Sequence, residues 1–390
     1  FGGMKSVLYT SVLQTPILLL GSLIILVLGF KELGGWDEMM RVCGAVTVND
    51  YGDTMTNLIR SNDDANFPWL GALIGSAIIG FWYWCTDQFI VQRVLSGKNE
   101  MEARRGTIFG AYLKLLPVFL FLIPGMIAFA LHQKYIGAGG EGFLPMLANG
   151  TANADAAFPT LVAKLLPAGV KGLVVCGILA ALMSSLASLF NSSAMLFTID
   201  FYKRFRPQTS EKKLVGIGQV ATVVIVILGI LWIPIMRSVG DVLYTYLQDV
   251  QSVLAPGIAA AFLLGICWKR TSAQGGMWGL ISGMVIGLTR LGAKVYYSNA
   301  GEVADSTFKY LFYDMNWLFF CGWMFLFCII VVIVVSLATE APTAEKIQGL
   351  VFGTATKEQK ASTRASWNHW DIIHTVIILA ITGAFYWYFW

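Results

Sequence analysis

The sequence predicts an all-α polytopic membrane protein, and this fold class follows from composition, from the length of the apolar runs and from the charge of the loops. Hydrophobic residues make up 56% of the 390-residue chain and charged residues only 13%, whereas an ordinary soluble domain has about 25% charged residues. Mean hydropathy is +0.67. A chain of this composition has too few polar residues to cover its apolar surface, so we expect a lipid bilayer as its solvent.

The apolar runs are long enough to be transmembrane helices, each of which needs about 20 residues. Nine spans are predicted, at residues 7–30, 69–92, 106–132, 172–202, 214–236, 242–268, 276–296, 312–337 and 372–390. An odd number of spans predicts that the two ends of the chain lie on opposite sides of the membrane.

Loop charge gives the orientation. Lys and Arg gather in residues 93–105, 203–213 and 269–270, whereas residues 31–68 are acidic. Because short basic loops favour the cytoplasm, the start of the chain is predicted to be cytoplasmic and its end external. We interpret the chain as a single transmembrane domain of the plasma (inner) membrane, with external loops at 31–68 and 133–171 and a cytoplasmic connector at 340–368.

Several function classes are excluded by what the sequence lacks. The net charge of +4 comes with no basic patch interleaved with aromatic residues, so no nucleic-acid partner is expected. The six cysteines show neither metal-ligand nor disulfide spacing. No HExxH, GxSxG or P-loop motif occurs. The protein is therefore not predicted to be an enzyme.

A stripe of small and hydroxyl-bearing residues marks the fourth span. Ala181, Ser184, Ser185, Ser188 and Ser192 follow helical spacing and share one face. Hydroxyl oxygens at membrane depth could ligate a partly dehydrated cation. Close packing of helices through small residues explains the same stripe. Spacing alone leaves both interpretations open.

Lys114 is a charged residue about eight positions into its span, which corresponds to a depth on the order of 12 Å. A lysine at that depth needs an anionic or hydroxyl partner, unless its side chain extends to the cytoplasmic edge. Pro117 and Pro124 follow it and are predicted to kink the helix.

Two further spans carry polar and aromatic residues that suit a solute. In the second span, Tyr83 and Trp84 lie in the run Phe-Trp-Tyr-Trp-Cys-Thr-Asp-Gln, which favours a helix interrupted beside a cavity, with rings for stacking against a sugar. An interfacial aromatic belt is the alternative. In the sixth span, Gln248 and Asp249 need polar partners, which a polyhydroxyl solute or a neighbouring helix would supply.

Seven strings of residues, taken in order, point to one family. They are GGMKSVLYT from Gly2, WYWCTDQ from Trp82 with VQR from Val91, YLKL from Tyr112, MSSLAS from Met183 with FNS from Phe190, LFTID from Leu196, YLQ from Tyr246, and WKR from Trp268 followed by Gly275, Gly276 and Gly279. With these strings the chain resembles the sodium/solute symporter family, most closely its sodium/glucose cotransporter branch.

The resemblance implies an inverted-repeat (LeuT-like) transporter core that works by alternating access, with Na⁺ as the coupling ion and a monosaccharide as the substrate. The Ala181 carbonyl and the Ser184 and Ser185 hydroxyls would line the Na⁺ site. Tyr83 would be an aromatic gate with Trp84 beside it, and Lys114 and Gln248 would bind the sugar hydroxyls.

Three departures from the family pattern accompany the resemblance. The chain begins at Phe1 without an initiator Met, so we expect it to lack the family's first core helices, which supply the remaining Na⁺ ligands. Ser11 replaces an aspartate of sugar-transporting relatives, and Gly80 replaces a polar residue near the sugar. Two alternatives therefore stay open: a symporter for a sugar acid or another organic anion, and a transporter-like sensor module without transport.

Overall fold

The computed structural model describes residues 3–147, 150–239, 243–300 and 304–390, except for the side chains of residues 3–8, 10, 11, 13 and 235–239. Ser11 thus lies outside the described side chains. Regular structure in the described ranges is helical, and only isolated β-bridges accompany it. The predicted all-α class is confirmed.

Seventeen α-helices occupy the described chain. In order they are α1 Gly3–Leu33, α2 Trp36–Gly44, α3 Trp69–Cys85, α4 Gln88–Leu95, α5 Glu100–Pro117, α6 Ile123–Gly137, α7 Ala157–Leu165, α8 Ala168–Met195, α9 Lys203–Phe205, α10 Glu211–Val239, α11 Leu243–Cys267, α12 Ala273–Asn299, α13 Thr307–Lys309, α14 Trp317–Ala338, α15 Ala344–Ile347, α16 Lys357–Ala365 and α17 His369–Tyr388. π-Helical turns lie at Val118–Leu122, Leu196–Tyr202 and Tyr310–Asp314.

Helices occupy all nine predicted spans. Within the described residues, seven helical segments are long and apolar enough to cross a membrane, and α3 with α4 forms an eighth span if the bent pair is counted as one. The remaining prediction, residues 276–296, falls in α12, which is 27 residues long but is not among the seven. Its glycines and the charges of Arg290 and Lys294 lower its hydropathy. The chain is a multi-pass membrane protein.

The chain forms two compact units, Phe1–Asn57 with Gly110–Ile235, and Leu58–Phe109 with Met236–Trp390. In the first unit α1 packs against α8 and α6. The core there contains Ile25 of α1, Ile127 and Leu131 of α6, and Leu161 of α7, all fully buried. A Cβ at Gly177 of α8 would lie 3.0 Å from the Ile17 side chain, so the small residue lets the two helices approach closely.

The described residues of segment 133–171 in the first unit, which we predicted to be an external loop, fold onto the end of α6. The backbone N–H of Leu144 donates to Nδ1 of buried His132 at 3.0 Å, and Lys164 Nζ donates to the Phe143 carbonyl at 2.8 Å. Lys134 Nζ in turn donates to the Leu33 carbonyl of α1 at 3.0 Å. The segment contains α7, and these hydrogen bonds tie it to α6 and α1.

The second unit is built around α11, α12 and α14, with α3 packed on α11 and α14. Glycines make these contacts close: a Cβ at Gly283 of α12 would lie 3.0 Å from the Cα of Gly257 in α11. A Cβ at Gly75 of α3 would lie 2.9 Å from the Leu318 carbonyl of α14. Transmembrane helices use small residues in this way, because packing drives their association in lipid.

The predicted connector, residues 340–368, contains the short helices α15 and α16. Thr356 and Gln359 form a capping box at the start of α16. Arg104 Nη2 donates to Ser366 Oγ at 3.0 Å, and the Phe352 N–H donates to the Ile266 carbonyl at 2.8 Å. These bonds fasten the connector to the ends of α5 and α11 within the second unit. Its cytoplasmic location stays a prediction.

Candidate functional site

The serine stripe lies on α8, which is one continuous helix from Ala168 to Met195. Ser188 and Ser192 are buried, and Ser192 Oγ donates to the Leu189 carbonyl at 2.9 Å. Helix packing and bonding to the preceding turn therefore account for this end of the stripe.

The three residues assigned to Na⁺ lie on the more open end of the same stripe. Ser185 is exposed, and Ala181 and Ser184 are partly buried. A carbonyl oxygen has two lone pairs, so Ala181 can keep its helical hydrogen bond and still face an ion. The structure brings these three oxygens together on two adjacent turns of one helix. Their role as Na⁺ ligands stays a prediction.

Sequence reasoning overlooked two buried hydroxyls of the first unit. Ser22 of α1 and Thr198, in the π-helical turn after α8, are buried, and neither Ser22 Oγ nor Thr198 Oγ1 has a hydrogen-bond partner among the described residues. A buried hydroxyl without a partner costs about 1–3 kcal/mol. The signal for Ser22 was available, because it is a lone polar residue in an apolar run.

The aromatic run ends in a broken helix, as predicted. α3 ends at Cys85, α4 begins at Gln88, and the two helices meet at an angle of 49°. Thr86 Oγ1 donates to the Trp82 carbonyl at 2.7 Å, and the Asp87 carboxylate accepts from the Phe89 N–H at 3.0 Å. Side chains thus satisfy backbone groups that the break would otherwise expose.

Tyr83 and Trp84 lie just before this break. Their rings meet edge to face, with centroids 5.2 Å apart. Tyr83 is half-buried, whereas Trp84 is 49% exposed. An edge-to-face pair with one accessible ring can offer the apolar face of that ring to the C–H groups of a solute. An aromatic belt at the membrane interface is equally compatible with this exposure.

Gln248 lies on α11 in the same unit as Tyr83. Its Nε2 donates to Tyr244 Oη one turn earlier, at 2.9 Å. Ile78 of α3 and Ala255 of α11 share a buried cluster, so Tyr83 and Gln248 stand on helices that pack against each other. The amide of Gln248 is thereby oriented before any solute binds.

Lys114 lies on α5, in the part of that helix that belongs to the first unit, and its side chain is exposed. A π-helical turn, Val118–Leu122, follows Pro117 directly, at the place where a kink was predicted. Such turns are frequent at functional sites.

The charges around Asp249 form a cluster that sequence reasoning recognised only in part. Asp249 was identified as needing partners, and the structure supplies them from α12: Lys294 and Arg290. Two basic residues four positions apart in a membrane helix were the signal that could have identified them. No group of three or more His, Cys, Asp or Glu side chains forms a metal site in the described chain.

Comparison with known proteins decides the family. The sodium:solute symporter family matches residues 1–283. The chain belongs to this family. Its resemblance to sodium/solute symporters is confirmed, and the relatives that it matches are cotransporters rather than enzymes.

Among curated relatives, the sodium/mannose cotransporter of Bos taurus is 35% identical, over all of this chain and 68% of that protein. The sodium/myo-inositol cotransporter 2 of Homo sapiens is 36% identical over 90% of this chain and 54% of that protein. The sodium/glucose cotransporter 4 of Mus musculus is 36% identical over 90% and 53%. The chain spans about half the length of the last two.

A solved structure of a Na⁺-coupled sialic acid symporter, in a substrate-bound outward-open state, matches with a TM-score of 0.62. The match covers 88% of this chain and 64% of that one, at 22% identity. Likeness at this level shows the fold, and it confirms the inverted-repeat (LeuT-like) transporter core.

Proposed function

We propose that the protein is a secondary active transporter of the plasma membrane that couples inward Na⁺ movement to uptake of a monosaccharide by alternating access. Membership in the sodium:solute symporter family is the observation that carries this proposal. The curated relatives support it, because they are named as sodium cotransporters of mannose, myo-inositol and glucose.

The Na⁺ site is proposed at Ala181, Ser184 and Ser185. Carbonyl and hydroxyl oxygens are the ligands that hard cations prefer, and the open end of the stripe presents three of them. Three oxygens are too few to replace a hydration shell, so further ligands have to come from outside α8. Ser22 and Thr198 show that buried hydroxyls without partners also occur elsewhere in this unit.

The sugar contacts are proposed at Tyr83, Trp84, Gln248 and Lys114. The Tyr83 ring would stack on the apolar face of the sugar with Trp84 beside it, while the amide and the ammonium group would hydrogen-bond the sugar hydroxyls. The Gln248 amide already donates to Tyr244, which leaves its carbonyl oxygen to accept from a sugar hydroxyl.

Coupling then follows from linkage. Na⁺ that binds better to the outward-open state lowers the free-energy cost of capturing solute in that state. The two ligands share one coupling free energy, so the sugar must also raise the affinity for Na⁺. Release of Na⁺ on the inner side weakens sugar binding and completes uptake.

Uptake of radiolabelled hexose by cells that express the full protein tests the proposal. We expect accumulation in Na⁺ medium and its loss when choline replaces Na⁺. Unlabelled glucose, mannose and myo-inositol then rank the substrates by competition. Na⁺-dependent uptake of labelled sialic acid or gluconate, without uptake of hexose, would favour an anion symporter with Lys114 as counter-charge. Equal hexose uptake in choline medium would refute the proposal, and absence of any Na⁺-dependent flux would favour a sensor module.

A further inference from the structure

A buried charge cluster joins α11 to α12 in the second unit. Asp249 lies two turns into α11, and its Oδ2 accepts from Lys294 Nζ of α12 at 2.5 Å. Its Oδ1 is 3.6 Å from Arg290 Nη2, one turn earlier on α12. The Arg290 side chain is fully buried, and only 13% of the Asp249 side chain is exposed. One carboxylate therefore faces two cations in a place where water is scarce.

Arg290 is held from a second direction. Its Nη2 donates to the Met315 carbonyl at 2.7 Å, and its Nη1 donates to the Leu311 carbonyl at 3.3 Å. The guanidinium carbon also stands 4.0 Å from the centre of the Phe320 ring of α14. Five donors in a planar fork allow one arginine to bind several acceptors at once. These contacts hold the Arg290 side chain in place whichever residue occupies position 249.

The cluster sets the rotation of α11. Charged groups inside a membrane protein are costly unless each has a partner, so turning Asp249 away from α12 would strand two cations. Gln248 precedes Asp249 directly and lies about 100° around the same helix. Any rotation that separates Asp249 from Lys294 therefore displaces the Gln248 amide as well.

We propose that Asp249 is a positioning residue for solute recognition, which acts by locking α11 to α12 so that Gln248 presents its amide to the solute. The proposal rests on the proposed role of Gln248 in sugar binding. Asp249 does not touch the solute. Its carboxylate and the two cations of α12 fix the helix that carries the ligand.

The unequal roles of the three charges make the proposal testable. Asp249→Asn leaves Arg290 and Lys294 side by side without a counter-charge, whereas Lys294→Gln leaves Asp249 paired with Arg290. Misplacement of a binding group by about 1 Å can cost up to a hundredfold. We expect Asp249→Asn to raise the KM for sugar at least about tenfold, and Lys294→Gln to raise it only about twofold, because Arg290 still faces the carboxylate.

The double variant Asp249→Asn/Lys294→Gln distinguishes charge compensation from a general packing defect. It removes one of the two stranded cations, so its KM should fall back at least about threefold from that of Asp249→Asn alone. Lys309→Gln is the matched control, because its partner Asp305 is 96% exposed and the pair joins no two long helices. This variant should transport like the parent.

The measurement is sugar uptake against sugar concentration at saturating Na⁺, normalised to surface protein by biotinylation. A parent KM in Asp249→Asn, or a double variant no better than Asp249→Asn, would overturn the proposal. If Asp249→Asn does not reach the surface, Lys294→Glu decides. That variant sets two carboxylates against Arg290 and must raise the KM well above that of Lys294→Gln. Failure of the proposed function looks different, because the parent itself would then show no Na⁺-dependent uptake.

Discussion

Replacement of Gly287 by alanine tests the closest contact between α11 and α12. A Cβ built at Gly287 overlaps the carbonyl oxygen of Val253, nearer than real Cβ atoms approach any atom. The obstacle is backbone, which cannot turn aside as a flexible side chain can. The two helices must separate by roughly 1 Å before the new contact reaches ordinary van der Waals distance.

The size of the effect follows from two opposing contributions. Overpacking in a tight interface costs about 1–3 kcal/mol. Alanine regains up to about 1 kcal/mol over glycine as a helix former. Gly292→Ala on the same helix carries only the second contribution, because nothing lies within 4 Å of its Cβ position. Comparison with this variant therefore isolates the steric cost at Gly287. The difference between the two variants is then about 1–3 kcal/mol of steric cost alone.

Thermal unfolding of the detergent-purified protein, followed by the loss of the monodisperse peak in size-exclusion chromatography, measures this difference. At about 1 °C per kcal/mol for a chain of 390 residues, Gly287→Ala should have a midpoint about 1–4 °C below that of Gly292→Ala. Identical midpoints would refute the close approach of α11 and α12 at Gly287. A midpoint for Gly292→Ala well below that of the parent would refute the open space at its Cβ position.

Three other predictions concern ligands and thiols. Ser185→Ala should raise the Na⁺ concentration for half-maximal uptake roughly tenfold, while Ser185→Thr keeps the hydroxyl and stays near the parent; unchanged Na⁺ dependence in the alanine variant would contradict the site. Lys114→Ala and Gln248→Ala should each raise the KM for sugar between about twofold and tenfold at similar surface levels, and kinetics equal to the parent would count against either contact. Burial raises the pKa of the Cys43 thiol to about 11. The reaction of Cys43 with maleimide should therefore be slow at pH 8, and its rate should rise about tenfold per pH unit towards pH 10. Equal labelling of Cys43 in native and SDS-denatured protein at pH 8 would contradict this.

Much of the fold was predictable because lipid imposes one simple requirement. Every backbone polar group inside the membrane needs an internal partner, so a long apolar run there has to be a helix. The exception in composition was α12, whose glycines serve packing on Gly257 and Val253 rather than contact with lipid. Its helical state was predicted, but its low hydropathy reflects neighbours that the linear sequence does not reveal.

The local geometry was less predictable. Prolines indicated a kink after Lys114, but not that it would be a π-helical turn. α2 lies in a predicted loop, although Met39 and Cys43, four residues apart and both buried, gave it an amphipathic pattern. Such short helices are stabilised by packing rather than by their own sequence.

The candidate site was predictable where its residues share one helix, and not where they meet across helices. Helical spacing placed Ala181, Ser184 and Ser185 on one stripe with Ser188 and Ser192, and the family resemblance then selected these three as Na⁺ ligands. The pairing of Asp249 with Lys294 joins positions 45 residues apart, and periodicity carries no information about which helices become neighbours.

The junction between α3 and α4 has a mechanical consequence. Thr86 and Asp87 supply the hydrogen bonds of the break from within the junction itself, and none of the bonds described there is borrowed from another helix. A change in the angle between α3 and α4 therefore breaks neither of these hydrogen bonds and exposes no unpaired polar group of the two to the lipid. A junction of this kind can therefore change its angle at low enthalpic cost.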